Sequence, residues 1–257
     1  MDLENKYGTL AIQKNLLELL KEFDSFCLKN GIRYSVSSGT LLGAVRHKGF
    51  IPWDDDLDVM IHRDEYNKFK AKVASEKSRL QFVDAKDTKL WVSRVHLYDG
   101  EKTVNDTTLD LLILDNAPDD KISDRVMLFQ ALLLQGMLKA KPTLNRGSLI
   151  MRMCSLASWF LGLPFSSHTK MRWYHNLAQR HNGKQTKNKA LWMDQYKGLW
   201  NRYPNEVVDK TSRYKFENIE VSGWTEYDRY LRMAFGDDYM TPPKDSERVP
   251  IHTSAKS

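Results

Sequence analysis

The sequence predicts an α/β (α+β) fold: a mixed β-sheet with flanking helices and a basic helical insertion near residues 121–197. Three observations predict it. Apolar residues recur every three or four positions in some segments and every second position in others, and the two kinds of segment alternate. The stretch Thr107–Asp115 is apolar on both faces, as a strand covered from both sides is. Charge is unevenly placed: residues 1–120 hold 17 Lys and Arg against 21 Asp and Glu, residues 121–197 hold 13 against 2, and residues 198–257 hold 9 against 10. The net +6 therefore comes from one middle block of +11.

A length of 257 residues suits one domain over 1–257 carrying that block as a lobe. With 41% apolar and 28% charged residues the composition excludes a disordered chain. Met1-Asp2-Leu3-Glu4 lacks the basic and apolar regions of a signal peptide, and no apolar run reaches transmembrane length. The expectation is a cytoplasmic protein, with Cys27 and Cys154 unpaired and serving as small buried hydrophobes.

In order, residues 9–30 read as a helix with Leu16, Leu20, Phe23 and Cys27 on one face and Gly31 as its stop. Ile32, Tyr34 and Val36 alternate as a first strand, feeding a turn, Ser37-Ser38-Gly39-Thr40. A short helix from Thr40 to Arg46 follows, then a His47-Lys48-Gly49 loop. A helix starting at Thr40 would present free backbone N–H groups, and Gly39 would let a ligand approach the backbone closely. Ser38 and Thr40 hydroxyls would add hydrogen bonds to a phosphate there; an ordinary helix cap by Ser38 is the alternative. Arg46 is suited to pair with phosphate oxygens in bidentate fashion, whereas His47 reads as a solvated loop residue.

Next comes an acidic strand. Alternation puts Asp54, Asp56 and Asp58 on one face and Asp55, Leu57, Val59 and Ile61 on the other. Two carboxylates about 5 Å apart repel by about 3 kcal/mol at an effective dielectric near 20. Such a cluster requires a cation, or a proton taken up by one member. Mg²⁺ suits it, since that ion binds through one or two carboxylates together with substrate phosphates.

The segment SGTLLGAVRHKGFIPWDDDLDVMI closely resembles the signature of the LicD family of phosphocholine and polyol-phosphate transferases, whose animal relatives include fukutin-related protein. More distantly it is similar to the nucleotidyltransferase superfamily pattern of a Gly-Ser-type turn followed by Asp-x-Asp on a strand. The resemblance implies a nucleotidyltransferase-like sheet. It aligns Arg46 with the Arg of the family's Gly-Ala-Val-Arg segment, and Phe235-Gly236-Asp237-Asp238-Tyr239-Met240-Thr241-Pro242-Pro243 with the family's closing segment, Phe replacing Tyr.

Asp64-Glu65 opens another helix, with Tyr66, Phe69 and Val73 on one face. Leu80–Val83 and Leu90–Tyr98 read as strands, the second carrying Arg94 and His96 on one face. Arg94 can reach a phosphate from the sheet or form a surface salt bridge. On the strand 107–115, Asp110 shares a face with Leu112 and Leu114 and would be a costly charge if unpaired. It matches the third carboxylate of the superfamily pattern. Asp115 has the opposite parity; it either joins that site or ends the strand in a turn.

Residues 122–165 read as apolar helices broken from Pro142 to Gly147 and punctuated by Lys139, Lys141, Arg146 and Arg152. From 168 to 197, Lys and Arg interleave with Trp173, Tyr174, Trp192 and Tyr196. Such a block suits an anionic membrane surface, a nucleic acid, or a plain lobe whose apolar residues pack inward. No nucleic-acid-binding motif accompanies it, so a peripheral position on the inner face of a membrane is expected before nucleic acid, with Trp159, Trp173 and Trp192 as contributors. Beyond it, Tyr214–Val221 reads as a strand pair or hairpin edge and Tyr227–Phe235 as a helix stopped by Gly236, with His252 in a polar tail.

Clustered aspartates facing a phosphate-binding turn describe metal-dependent phosphoryl-type transfer. Asp56 and Asp58 would hold Mg²⁺ or Mn²⁺, with Asp54 as a third ligand; Asp110 would share a second ion or accept the acceptor's proton. Ser38, Gly39, Thr40 and Arg46 would hold donor phosphates, with Arg94 and Asp115 as further candidates. The residues permit nucleotidyl transfer with loss of pyrophosphate, or movement of an alcohol phosphate from a CDP-linked carrier with loss of CMP. Only the LicD resemblance favours the second. It implies a CDP-linked alcohol donor, phosphocholine foremost, and a glycan or lipid-linked glycan acceptor. A non-catalytic binding module would be expected to lose carboxylates, and every candidate position here is acidic.

Overall fold

The computed structural model describes residues 6–85, 92–98, 103–145, 147–194 and 196–250, with 103–106 as backbone only. Leu90 at the expected strand start, Arg146 and His252 lie outside the described residues. The elements, in chain order, are α1 (Leu10–Lys29), β1 (Ser35–Val36), α2 (Ser38–Arg46), β2 (Asp58–His62), α3 (Arg63–Ser75), β3 (Leu80–Val83), β4 (Ser93–Tyr98), β5 (Thr103–Asn116), α4 (Lys121–Leu138), α5 (Leu149–Gly162), α6 (Ser167–Ala178), β6 (Asn188–Ala190), β7 (Tyr203–Pro204), α7 (Asn205–Val208), β8 (Thr211–Phe216), β9 (Ile219–Trp224) and α8 (Tyr227–Phe235). The class is mixed α and β with a mixed sheet.

The chain forms two compact units, one of 1–82, 94–112 and 205–257, the other of 83–93 and 113–204. The first holds a sheet ordered β3-β4-β5-β2-β1-β9-β8. In it β1 pairs antiparallel with β2 and parallel with β9, and β8 and β9 form an antiparallel hairpin. The face of α1 expected from its periodicity is the buried one, Leu16, Leu19, Leu20, Phe23 and Cys27. Phe23 and Phe26 stack on Phe69 of α3 at ring distances of 5.3 and 5.7 Å. Asp24 on the same helix is buried but not unpaired, because Arg213 of β8 grips both its oxygens at 2.6 and 2.8 Å and Tyr34 donates to it at 2.6 Å.

Several boundaries differ from the sequence expectation. The first strand is only Ser35–Val36: Ile32 N–H is spent on Cys27 O and Arg33 N–H on Glu65, so the chain before Ser35 is tied to helices rather than to the sheet. Residues Ser38–Thr40 lie inside the first turn of α2 instead of forming a separate turn. The acidic strand starts at Asp58, not Asp54, because the preceding backbone has other partners. Asp54 N–H turns back to Ile51 O at 2.9 Å, and the Gln13 side-chain amide of α1 donates to both Ile51 O and Asp54 O. The fourth strand begins at Ser93.

The second unit holds α4, α5 and α6 and a small ladder in which the end of β5 pairs with β6 and β6 with β7. Its core draws Met127, Leu128 and Ala131 from α4, Met171, Tyr174 and Leu177 from α6, and Trp192. Trp192 and Tyr174 are fully buried, so neither meets solvent or lipid, contrary to the expectation for Trp192; the Arg202 guanidinium stacks over the Trp192 ring at 4.3 Å. Cys27 is buried as expected, but Cys154 is exposed on α5, which turns most of its apolar side chains outward. No single helix among the described residues is long and apolar enough to cross a membrane.

Candidate active site

The site candidates of the first unit converge around the N-terminal turn of α2. Strand β1 delivers the chain to Ser37, whose N–H donates to Asp58 O at 2.9 Å. Leu41 N–H makes the first intrahelical bond, to Ser37 O at 3.0 Å. The N–H groups of Gly39 and Thr40 precede it and so have no carbonyl partner within the helix. Ser38 is held at φ 49, with its N–H donated to the Tyr230 hydroxyl of α8 at 3.1 Å. Thr40 is buried, and its hydroxyl accepts from Asp58 N–H at 3.0 Å, which bolts α2 to the start of β2. Thr40 therefore positions the acidic segment.

The aspartates sit across from this turn. Although Asp54–Leu57 is outside the strand, exposure still alternates: Asp54, Asp56 and Asp58 are half-buried while Asp55 and Leu57 are buried. The Asp54 carboxyl is pressed against Gly39, where an added Cβ would lie 2.7 Å from Asp54 Oδ2. Burial, the neighbouring Asp56 charge and a hydrogen bond to Asp56, then Asp58 and Asp55, push the Asp54 carboxyl up to about 8. A proton held on the Asp54 carboxyl would relieve the repulsion in the absence of a cation.

Asp110 joins the group through the backbone: its N–H donates to Leu57 O at 2.9 Å, which sets the middle of β5 beside the acidic segment. Its side chain has the partner a charge on that strand needs: Arg94 Nε on β4 donates to Asp110 Oδ1 at 2.9 Å. Of the two uses open to Arg94, the salt bridge is the one formed. Asp115 lies in the other unit; it is buried, stays within β5 rather than ending it in a turn, and accepts from the Asn182 side chain.

Arg46, at the end of α2, donates to Tyr239 O at 2.9 Å and to the His47 ring at 3.0 Å. Burial and the nearby Arg248 lower its affinity for the proton, and burial with Arg46 does the same for His47. His47 is therefore not the freely solvated loop residue expected; it is half-buried and meets the Trp53 ring edge-on at 6.3 Å. Sequence reasoning did not single out Tyr230 and Glu217. Tyr230 orients Ser38, and Glu217 accepts from Phe50 N–H at 3.0 Å, fixing the loop that leads to the aspartates. Neither carried a local signal, since their partners lie 192 and 167 residues away.

Chemically, the group is a set of hard oxygen donors beside a helix N-terminus. Among the described residues no three His, Cys, Asp or Glu side chains are arranged to hold a metal ion by themselves. Mg²⁺ needs only one or two carboxylates when substrate phosphates complete its shell. The half-buried, mutually repelling Asp54, Asp56 and Asp58 fit that requirement, and no soft ligand is needed.

A carboxylate cluster opposite a helix N-terminus on a mixed sheet is an arrangement suited to phosphoryl-type transfer. Residues 31–126 match the family described as LicD/FKTN/FKRP, nucleotidyltransferase domain. The chain is also similar to the lipopolysaccharide cholinephosphotransferase LicD of Haemophilus influenzae, at 29% identity over 258 residues that cover 92% of each protein. Two uncharacterised proteins, from Rickettsia prowazekii and Rickettsia typhi, are 54% identical over 52 residues, 20% of this chain and 20% and 17% of theirs.

Proposed function

We propose that this protein transfers an alcohol phosphate, phosphocholine foremost, from a CDP-linked donor to a hydroxyl of a cell-surface glycan, releasing CMP. The observation that carries the reading is the packing of the Asp54, Asp56 and Asp58 group against the first turn of α2 at Gly39. The match of residues 31–126 to the LicD/FKTN/FKRP family and the similarity to a lipopolysaccharide cholinephosphotransferase support the cargo and the acceptor class.

In this reading the backbone N–H groups of Gly39 and Thr40 receive donor phosphate oxygens, helped by the positive end of α2. Asp56 and Asp58, with Asp54 as the third carboxylate, would hold Mg²⁺ or Mn²⁺. The ion would supply charge neutralisation on the donor phosphates. The acceptor oxygen attacks the phosphorus of the alcohol phosphate, the bond to the CMP oxygen breaks, and the hydroxyl proton passes to the Asp110 carboxylate. Arg94 holds Asp110 in place for that role. Arg46, at the opposite end of α2, braces the closing segment at Tyr239. Positioning and electrostatics account for the catalysis, as phosphoryl-type transfer requires.

The test is a panel of CDP-linked choline, ethanolamine, glycerol and ribitol, incubated with a crude glycan acceptor and assayed for CMP. CMP release from one of them supports the reading. The family's description as a nucleotidyltransferase domain favours one rival: pyrophosphate release from a nucleoside triphosphate, with no CMP from any CDP-alcohol, would establish nucleotidyl transfer instead.

A further inference from the structure

Helix α5 docks by its small residues and turns its large ones outward. Its sequence LIMRMCSLASWFLG contains one charge, Arg152, and its buried residues are Ser158 and Gly162. The seam with α4 is too close for anything bigger. A Cβ at Gly162 would lie 2.6 Å from Met137 O, and one at Gly136 of α4 would lie 2.0 Å from Ser158 Oγ. Lys170 of α6 fixes the arrangement, donating from Nζ to Met137 O at 2.9 Å and Gly162 O at 3.1 Å, at the C-terminal ends of both helices. The register of α5 is thereby set, and its apolar side chains are left facing away from the core.

Leu149, Ile150, Met153, Leu156, Phe160 and Leu161 are exposed, Ile150 by 73% and Phe160 by 67%. Helices α4 and α6 send Met127, Leu128, Ala131, Met171, Tyr174 and Leu177 into the core of this unit, while α5 gives it none; Ile122, Val126 and Phe129 of α4 are exposed as well. A contiguous apolar surface of this kind marks an interaction site. Charge identifies the occupant: between residues 125 and 193 there are 11 Lys and Arg and no Asp or Glu. Lys139, Lys141 and Arg152 are exposed, Arg152 on α5 itself and Lys139 bonded to Thr143, whose N–H donates to Ser155 of α5. At 14 residues α5 is about 21 Å long, short of the ~30 Å hydrocarbon core of a bilayer. The chain then bends by 115° into α6.

We propose that α5 lies in the plane of an anionic lipid surface, its outward apolar side chains in the acyl boundary and the flanking cations among the headgroups. The inference draws on no residue of the carboxylate site, so it stands or falls separately from the transfer reaction.

The experiment is flotation of the full-length protein with phosphatidylcholine vesicles and with vesicles containing phosphatidylglycerol, at low and high salt. Ile150→Ser/Phe160→Ser is compared with Leu28→Ser, which removes an exposed leucine of α1. The expected result is flotation on the anionic vesicles that falls at least tenfold in high salt and at least tenfold in the double variant, with Leu28→Ser unaffected. Because the altered side chains are exposed, the melting temperature should not fall. Equal recovery on both lipids, no flotation, or undiminished flotation of the double variant would overturn the proposal. A dimer that the double variant dissociates, without flotation of the wild type, would assign the surface to a second copy instead.

Discussion

The Asp54 carboxyl closes over the first turn of α2 at Gly39, where a Cβ would stand 2.7 Å from Asp54 Oδ2. This pair joins the two halves of the candidate site: Gly39 supplies backbone that a phosphate can approach, and Asp54 belongs to the charge cluster that the phosphate and its cation would meet. Gly39→Ala forces one of them to move. It should lower turnover at least tenfold, about 1.4 kcal/mol in the barrier, while the circular dichroism spectrum stays unchanged. Wild-type turnover in this variant would show that the close approach has no functional use.

Asp56→Asn and Asp58→Asn should each abolish transfer without unfolding the protein. Removing either charge relieves repulsion on Asp54. In chelator, then, each variant should melt no lower than the wild type. Retention of more than about a tenth of wild-type turnover, a barrier change under about 1.4 kcal/mol, would remove that residue from the metal site.

Stability in chelator should depend on pH through Asp54. Its carboxyl, raised to about 8 in the folded chain by burial and by Asp56, titrates at about 3.9 when unfolded. Between those values the folded state binds the extra proton, so this contribution is complete below about pH 4 and is lost as pH rises through about 8. Denaturation midpoints should fall between pH 5 and pH 8.5, and Asp54→Asn should flatten that slope. Added Mg²⁺ should restore stability at the upper end, since a cation then replaces the proton. A slope unchanged in Asp54→Asn would assign the pH dependence elsewhere.

Arg94→Gln separates the ion pair from the fold. Both partners are partly exposed, so its loss should cost about 1 kcal/mol of stability or less. Turnover should nevertheless drop, because Asp110 loses the group that orients it, and kcat should change more than the KM for donor. A variant that melts normally and turns over normally would leave Asp110 without its proposed role.

Much of the site was legible because its signals are local. The period-two exposure of Asp54, Asp56 and Asp58 survives even where the ladder does not, since extended chain alternates with or without sheet partners. The helix ending at Gly236 and the Thr211–Trp224 hairpin were legible for the same reason. What escaped depends on distant partners. Gln13 holds the carbonyls of Ile51 and Asp54 off the sheet, and Tyr230 reaches Ser38 across 192 residues. Arg94 could be read as a phosphate ligand or a salt bridge, and only the neighbouring strand shows that Asp110 is its ion-pair partner. A membrane-facing block was expected from composition, but which side of α5 is outward was beyond sequence reading, since only the small-residue seam with α4 shows which side is inside.

The most direct test follows the label of choline-labelled CDP-choline, or of whichever CDP-alcohol releases CMP, with Mg²⁺ and then after thorough chelation. The account predicts that label enters the glycan in equal amount with CMP, that chelation abolishes both, and that Mg²⁺ or Mn²⁺ restores both in the wild type but not in Asp56→Asn. Transfer that continues undiminished in chelator, or CMP formed with no label in the glycan, would contradict it.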